Sequence, residues 1–128
     1  MVKDLSRLVD ENGIYAAVAV DQRGALRKLL GDTGTPENLS LFKKLVAEVL
    51  TSHGSSFLVD PEYGLDAAKA KDAKAGLILS YEQTGYDKSR PGRLPRLIED
   101  QSVRRLVAAG ADAVKFLLYY DVDESDEI

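Results

Sequence analysis

One hundred and twenty-eight residues are the length of one ordinary domain, and 45% apolar against 30% charged residues is the balance of a folded chain, not a disordered one. Zero cysteines exclude disulfides, thiolate metal sites and cysteine nucleophiles together, and a single histidine leaves no cluster of nitrogen ligands, so neither a metal site nor a Ser-His-Asp triad is expected. The net charge of −4 is concentrated at one end, where residues 121–128 hold five acids and no base; the other 120 carry 17 bases and 16 acids, too even a balance to attract nucleic acid or an anionic membrane.

The chain opens on MVKDLSRLVDENG, charged where a secretory leader is apolar, and reads there as a small helix at residues 4–9 closed by Gly13. Residues 14–20 (IYAAVAV) form the first of four short apolar runs. A short helix at 25–30 follows, stopped by Gly31, then a longer one with Thr35 as N-cap and Pro36 at the first helical position. Its apolar stripe, Leu39, Phe42, Leu45, Val46, Val49 and Leu50, is expected to face a sheet. The second run is residues 56–59 (SFLV), followed by an alanine-rich helix at 65–75. The third is 77–81 (LILSY). A fourth helix at 99–109 turns Val103, Leu106 and Val107 inward and ends at Gly110. The fourth run spans 113–120. No apolar run approaches the roughly 18 residues of a membrane span, so no membrane association is expected, and the location expected is cytoplasmic.

Four runs apolar on both faces, separated by helices, predict an α/β fold with a parallel sheet covered on both sides. A doubly wound sheet and a (β/α)8 barrel both fit. No G-x-G-x-x-G follows the first strand, which is succeeded by Asp21-Gln22-Arg23-Gly24, so dinucleotide binding loses its main support. A complete barrel takes about 250 residues. Four strands are then the first half of one TIM-barrel domain, with no complete second domain, and the chain is expected to be a fragment whose last strand edge has only an acidic tail beside it.

In parallel α/β folds the working groups gather at the C-terminal ends of strands. There the sequence places Asp21, Gln22 and Arg23, then Asp60 to Tyr63, then Glu82, then Asp121. Any single acid in such a place reads equally as a helix N-cap; four together point to a site. Lys115 is sharper, lying inside an apolar run on the same face as Ala113, Leu117 and Tyr119. A buried ammonium is costly unless paired. It reads either as an amine whose pKa desolvation lowers, binding a carbonyl or partnering a substrate oxyanion, or as a structural partner of Asp21 or Asp60 across the strand ends. Lys88, Arg90, Arg93 and Arg96 put positive charge in the 87–96 loop, which reads better as a solvated connection than as a phosphate site. His53 suits a helix C-terminus better than a ligand role. The tail from Asp121 to Asp126 imitates a calcium loop but has Asp126 where the turn glycine belongs.

Five segments in order, AVDQRGALRKLL (19–30), VDPEYGL (59–65), SYEQTGYD (80–87), GRLPRL (92–97) and GADAVKFLLYYDVDE (110–124), resemble the class I tagatose 1,6-bisphosphate aldolases. The resemblance runs through nearly the whole chain. It implies a TIM barrel and an enzyme that cleaves a ketose 1,6-bisphosphate into dihydroxyacetone phosphate and glyceraldehyde 3-phosphate through a Schiff base, without a metal or cofactor. By matching position it implies that Asp21 and Gln22 are an active-site pair and Lys115 an active-site lysine, with Asp21 and Lys115 catalytic and Gln22 contacting substrate; Asp60 and Glu82, as strand-end acids, are expected to contact substrate too. The family's Schiff-base lysine and its assisting glutamate fall on later strands, so these 128 residues alone are expected to be inactive. The partner implied is a small sugar phosphate, and the expected state is a homo-oligomer. Two alternatives stay open: a related aldolase acting on another phosphorylated or sulfonated ketose, and a non-catalytic half-barrel that associates through its strand edges.

Overall fold

The computed structural model describes residues 5–86, 89, 93–120 and 122. Strands β1 (Ala17–Val20), β2 (Ser56–Val59), β3 (Gly76–Ser80) and, far along the chain, β6 (Ala113–Lys115) form one parallel sheet in the order β1-β2-β3-β6. Chain order and spatial order coincide, with no reversal. A doubly wound sheet reverses direction at its switch point; a barrel adds each strand beside the last. The sheet is therefore part of a barrel-like α/β fold.

Helices α1 (Gly24–Leu30), α2 (Pro36–Leu50), α3 (Leu65–Ala70) and α4 (Val103–Ala108) make the crossovers. Thr35 caps α2 as expected, its side chain accepting from the Asn38 amide at 3.3 Å with Pro36 at the first position. Gly31 ends α1 with φ of 56°, a left-handed value that glycine takes without a Cβ clash. The helix-covered face of the sheet holds the core, where Val20, Phe57, Val59, Leu77 and Leu79 pack against Ala47 of α2, Ala67 of α3 and Leu106 of α4. The opposite face carries Ala17 and Ala19, Ser56 and Leu58, Ile78 and Ser80, and Ala113 and Lys115, paired residue for residue across the ladders. Mostly small side chains there leave room on the concave side.

Several boundaries differ from expectation. The first run enters the ladder only at Ala17, because Asp10 folds residues 10–14 into a turn by accepting from the Asn12 and Ile14 amides. The fourth run is ladder only to Lys115, since β3 offers no partner beyond Ser80. The N-terminal helix is a 3-10 turn, Leu5–Leu8, that seats Leu8 under the sheet. Helix α4 starts at Ser102, whose hydroxyl caps it, and only its Leu106 is fully buried while Val103 and Val107 are exposed. Helix α3 stops at Ala70, where Lys71 turns extended. In α2 the inward row is Leu39, Lys43 and Ala47; Leu45, Val49 and Leu50 point out. The expected stripe is thus right at Leu39, which is buried, and at Val46, which packs against the core, while its outer members miss a buried row whose middle is a lysine.

The sequence reading also missed a hairpin. Strand β4 (Glu82–Tyr86) pairs antiparallel with β5 (Pro95–Leu97), with Glu82 opposite Leu97 and Tyr86 opposite Pro95 across an irregular ladder. Residues 82–86 (EQTGY) lack an apolar alternation, and Pro95 opens an edge strand, where its missing amide costs nothing. The positive loop expected at 87–96 thus partly belongs to a strand, with Arg96 exposed on β5. Lys88, Arg90, Asp121 and the acidic tail lie outside the described residues, apart from Val122.

Candidate active site

Alternation along the strands sets which side chains reach the concave mouth. Asp21 continues the row of Ala17 and Ala19, Glu82 that of Ile78 and Ser80, and Lys115 that of Ala113. All three stand at C-terminal strand ends, and they meet. Lys115 Nζ donates to Asp21 Oδ2 at 3.0 Å and to Glu82 Oε1. The second oxygen of Glu82 accepts the Leu117 amide at 3.3 Å, so both its oxygens are engaged. Glu82 is buried, its side chain 2% exposed, whereas Lys115 keeps 26% of its side-chain surface open to the cleft.

Burial alone pulls the Lys115 ammonium down. Hydrogen bonds and charge from Glu82 and Asp21 outweigh it, and the net shift is upward from the ordinary 10.5. The lysine is therefore a fixed cation. The desolvated, neutral amine that its apolar run suggested is not the state this site produces, and its partners are Asp21 and Glu82 rather than Asp60.

Asp60 serves a different lysine. Lys43 reaches from α2 beneath the end of β1, fully buried, and donates to Asp60 Oδ1, to the Val20 carbonyl at 2.8 Å and to the Gln22 carbonyl at 2.7 Å. The other Asp60 oxygen accepts the Tyr63 amide at 2.8 Å. Desolvation lowers the Lys43 pKa despite the Asp60 charge beside it. Three donors meeting three acceptors satisfy this buried ammonium completely. Sequence reasoning missed Lys43. The available signal was its place four residues after Leu39 and four before Ala47, on one row of the helix.

Arg23 was noted only as part of the first strand end. It is buried, donates to the Glu82 carbonyl at 2.7 Å and pairs with Glu62 at 3.8 Å, so it ties the end of β1 to the start of the hairpin. The Gln22 side chain is exposed at the rim. His53 lies exposed in the 3-10 turn after α2.

Asp21, Gln22, Glu82 and Lys115 line one cleft of about 180 Å³, closed on its far wall by Thr84, Leu117 and Tyr119. The Tyr119 ring meets Tyr86 edge-on at 4.9 Å between centroids, which couples the hairpin to the segment after β6. A broader groove of about 530 Å³ adjoins it and shares Arg23, Gln83 and Thr84; its other side is Arg27, held by the Tyr63 hydroxyl at 3.0 Å. Asp60 lines neither. Among the described residues, no group of three or more His, Cys, Asp or Glu is placed to hold a metal ion, and no helix is long and apolar enough to cross a membrane.

A charged lysine between two carboxylates stands at the C-terminal ends of the parallel strands, the end at which barrel folds place their working groups. Residues 15–128 match the sequence pattern of the DeoC/LacD family aldolases, and the chain belongs to that family. It is 56% identical over 127 residues to tagatose 1,6-diphosphate aldolase 2 of Enterococcus faecalis, covering 97% of this chain and 38% of that protein. The tagatose 1,6-diphosphate aldolase of Streptococcus pneumoniae is 55% identical over 128 residues, and aldolase 1 of Streptococcus mutans 53%, each covering 97% of this chain and 39% of the relative. The chain thus spans about two fifths of the length of the curated relatives it matches.

Proposed function

We propose that the chain forms the N-terminal half of a single TIM-barrel domain in a class I aldolase that cleaves tagatose 1,6-bisphosphate into dihydroxyacetone phosphate and glyceraldehyde 3-phosphate. The observation that carries the reading is the Lys115 ammonium held by Asp21 and Glu82 at the strand ends, in a chain more than half identical to tagatose 1,6-diphosphate aldolases. Support for the domain reading comes from the sheet edges. Among the described residues β1 and β6 each pair on one side only, and beside β1 runs an apolar groove of about 380 Å³ lined by Val18, Leu26, Leu29, Phe42 and Val46. Further strands and helices would cover it.

In this chemistry a lysine amine condenses with the ketose C2 carbonyl and releases water. The protonated imine then accepts the electron pair of the breaking C3–C4 bond, the role a metal plays in other aldolases, so no cofactor is needed. The C4 hydroxyl loses its proton as the aldehyde leaves. The imine-forming lysine is assigned outside residues 1–128, because Lys115 is held charged and a charged amine is no nucleophile. Asp21 hydrogen-bonds a substrate hydroxyl and relays its proton; Lys115 places positive charge beside the oxygen where negative charge develops. Gln22 and Glu82 contact substrate in the same cleft. Asp60, which does not reach it, supports the site through Lys43. Exposed Leu41, Leu45 and Val103 on the outer helices suit contact with another copy, in keeping with a homo-oligomer. An anionic sugar bisphosphate does not cross membranes unaided, in keeping with a cytoplasmic reaction.

The test supplies tagatose 1,6-bisphosphate to the full-length protein and follows triose phosphate release, with borohydride reduction in the presence of dihydroxyacetone phosphate to trap the imine. Release together with a covalent adduct outside residues 1–128 is expected. Absence of both overturns the reading, and turnover of only a different phosphorylated or sulfonated ketose reassigns the substrate.

A further inference from the structure

The Lys43 ammonium touches the backbone on both sides of Asp21. It donates to the carbonyls of Val20 and Gln22, the residues immediately before and after, at 2.8 and 2.7 Å. Its third donor goes to Asp60, which in turn holds the Tyr63 amide at 2.8 Å and so closes the end of β2. Both side chains are wholly buried. Asp21 itself stands just past the last paired residue of β1, where no ladder bond restrains it. A peptide segment in that position swings unless something bridges it, and a displacement of about 1 Å at a catalytic group can cost 100-fold in rate.

We propose that Lys43, charge-balanced by Asp60, is a positioning residue that brackets Asp21 and aims its carboxylate at Lys115. The inference rests on the aldolase reading for its kinetic consequences and on geometry alone for its structural one. A buried ion pair is a poor device for stability, since an apolar pair of similar volume often does as well. What an apolar pair cannot do is donate to two carbonyls at once. The clamp therefore separates from ordinary core packing by experiment.

The test is the double variant Lys43→Met/Asp60→Asn in the full-length protein, which removes the backbone bracket, leaves no uncompensated buried charge and keeps an oxygen for the Tyr63 amide. Its thermal midpoint is expected to stay within a few degrees of the parent, while kcat for ketose bisphosphate cleavage falls by about 10- to 100-fold and KM moves less than about threefold. Combined with Asp21→Ala, the clamp variant should add less than about twofold to the loss from Asp21→Ala alone, because one acts through the other. Unchanged kcat, or losses that multiply, overturns the proposal. A second readout needs no substrate. The Lys115 ammonium protons, slow to exchange while locked between two carboxylates, should give a nitrogen-correlated NMR signal in the parent that is lost in the clamp variant; a persisting signal overturns the clamp even if the parent cleaves nothing, in which case the aldolase reading alone has failed. Asp60→Asn by itself, which keeps the shape but removes the charge that balances Lys43 and turns one accepting oxygen into a donating amide, serves if the double variant does not fold, with the same signs and a kcat loss of about three- to tenfold.

Discussion

Lys115 Nζ lies 3.0 Å from Asp21 Oδ2, although the two residues stand 94 positions apart and at opposite edges of the four-stranded sheet. Strands spaced about 4.8 Å put the outer members of a flat four-stranded sheet roughly 14 Å apart, well beyond the reach of a lysine and an aspartate together once both point out of the sheet. The contact exists because the sheet coils, bringing the tips of its first and last strands toward one another over the concave face. The curvature that makes a barrel is thus what makes this site.

Removing the cation should harm catalysis more than folding. In the full-length enzyme Lys115→Met is expected to lower kcat by about 100-fold or more, the scale lost with one charge-stabilising donor. It also leaves the buried Glu82 carboxylate with, among the described residues, the Leu117 amide as its remaining donor. Adding Glu82→Gln should therefore raise the thermal midpoint of Lys115→Met without restoring turnover, measured by calorimetry beside steady-state kinetics. Equal turnover in Lys115→Met and parent would defeat the assignment.

Asp21 is less buried than Glu82 and its loss frees no deeply buried charge. Asp21→Ala is expected to cost under about 1 kcal/mol in denaturant unfolding, as surface-near substitutions do, while cutting kcat/KM by about 100-fold. Asp21→Asn, which keeps the shape but not the proton acceptor, should be nearly as inactive; full activity in it would show that Asp21 handles no proton.

The two lysines predict opposite alkaline behaviour. Lys115 titrates above its ordinary 10.5 in the folded protein, so the stability from its pairing is complete below that value and is lost as pH rises through the folded pKa. Lys43 titrates below 10.5, so its buried charge weighs against folding at lower pH and that burden lifts as pH climbs through its lowered pKa. Melting curves taken from about pH 8 upward should show a shallower alkaline fall in Lys115→Met than in the parent, and a steeper one in Lys43→Met/Asp60→Asn. Parallel curves would remove both attributions.

Gly64 leaves no room for a side chain, since an added Cβ would lie 2.2 Å from Val59 Cγ2 and 2.4 Å from the Asp60 carbonyl. Gly64→Ala is expected to destabilise by about 1–3 kcal/mol through overpacking. Because the strain falls on the residue that balances Lys43, turnover of the full-length enzyme should fall as well. A chemical denaturation midpoint equal to that of the parent would count against the packing argument.

What this sequence determined by itself was the order of the four strands of the main sheet and their crossover helices, and that these strands run parallel. Four Pro-free apolar runs at crossover spacing, Thr35-Pro36 opening a helix and Gly31 closing another are local signals, carried by residues within one turn or one strand, so the backbone obeys them in isolation. The acids at strand ends were legible for the same reason. Only the tertiary structure decided which partner each charge takes. Lys115 joined Asp21 and Glu82 rather than Asp60, Lys43 took Asp60 from the far side of a helix, and residues 82–86 found a strand partner in 95–97. The side-chain bonds among these span 17 or more positions, and such contacts depend on how the sheet curves and where a helix settles on it. Apolar periodicity carries no record of either, which is why Lys43, in the middle of the buried row of α2, escaped a pattern that did find Leu39 and Val46.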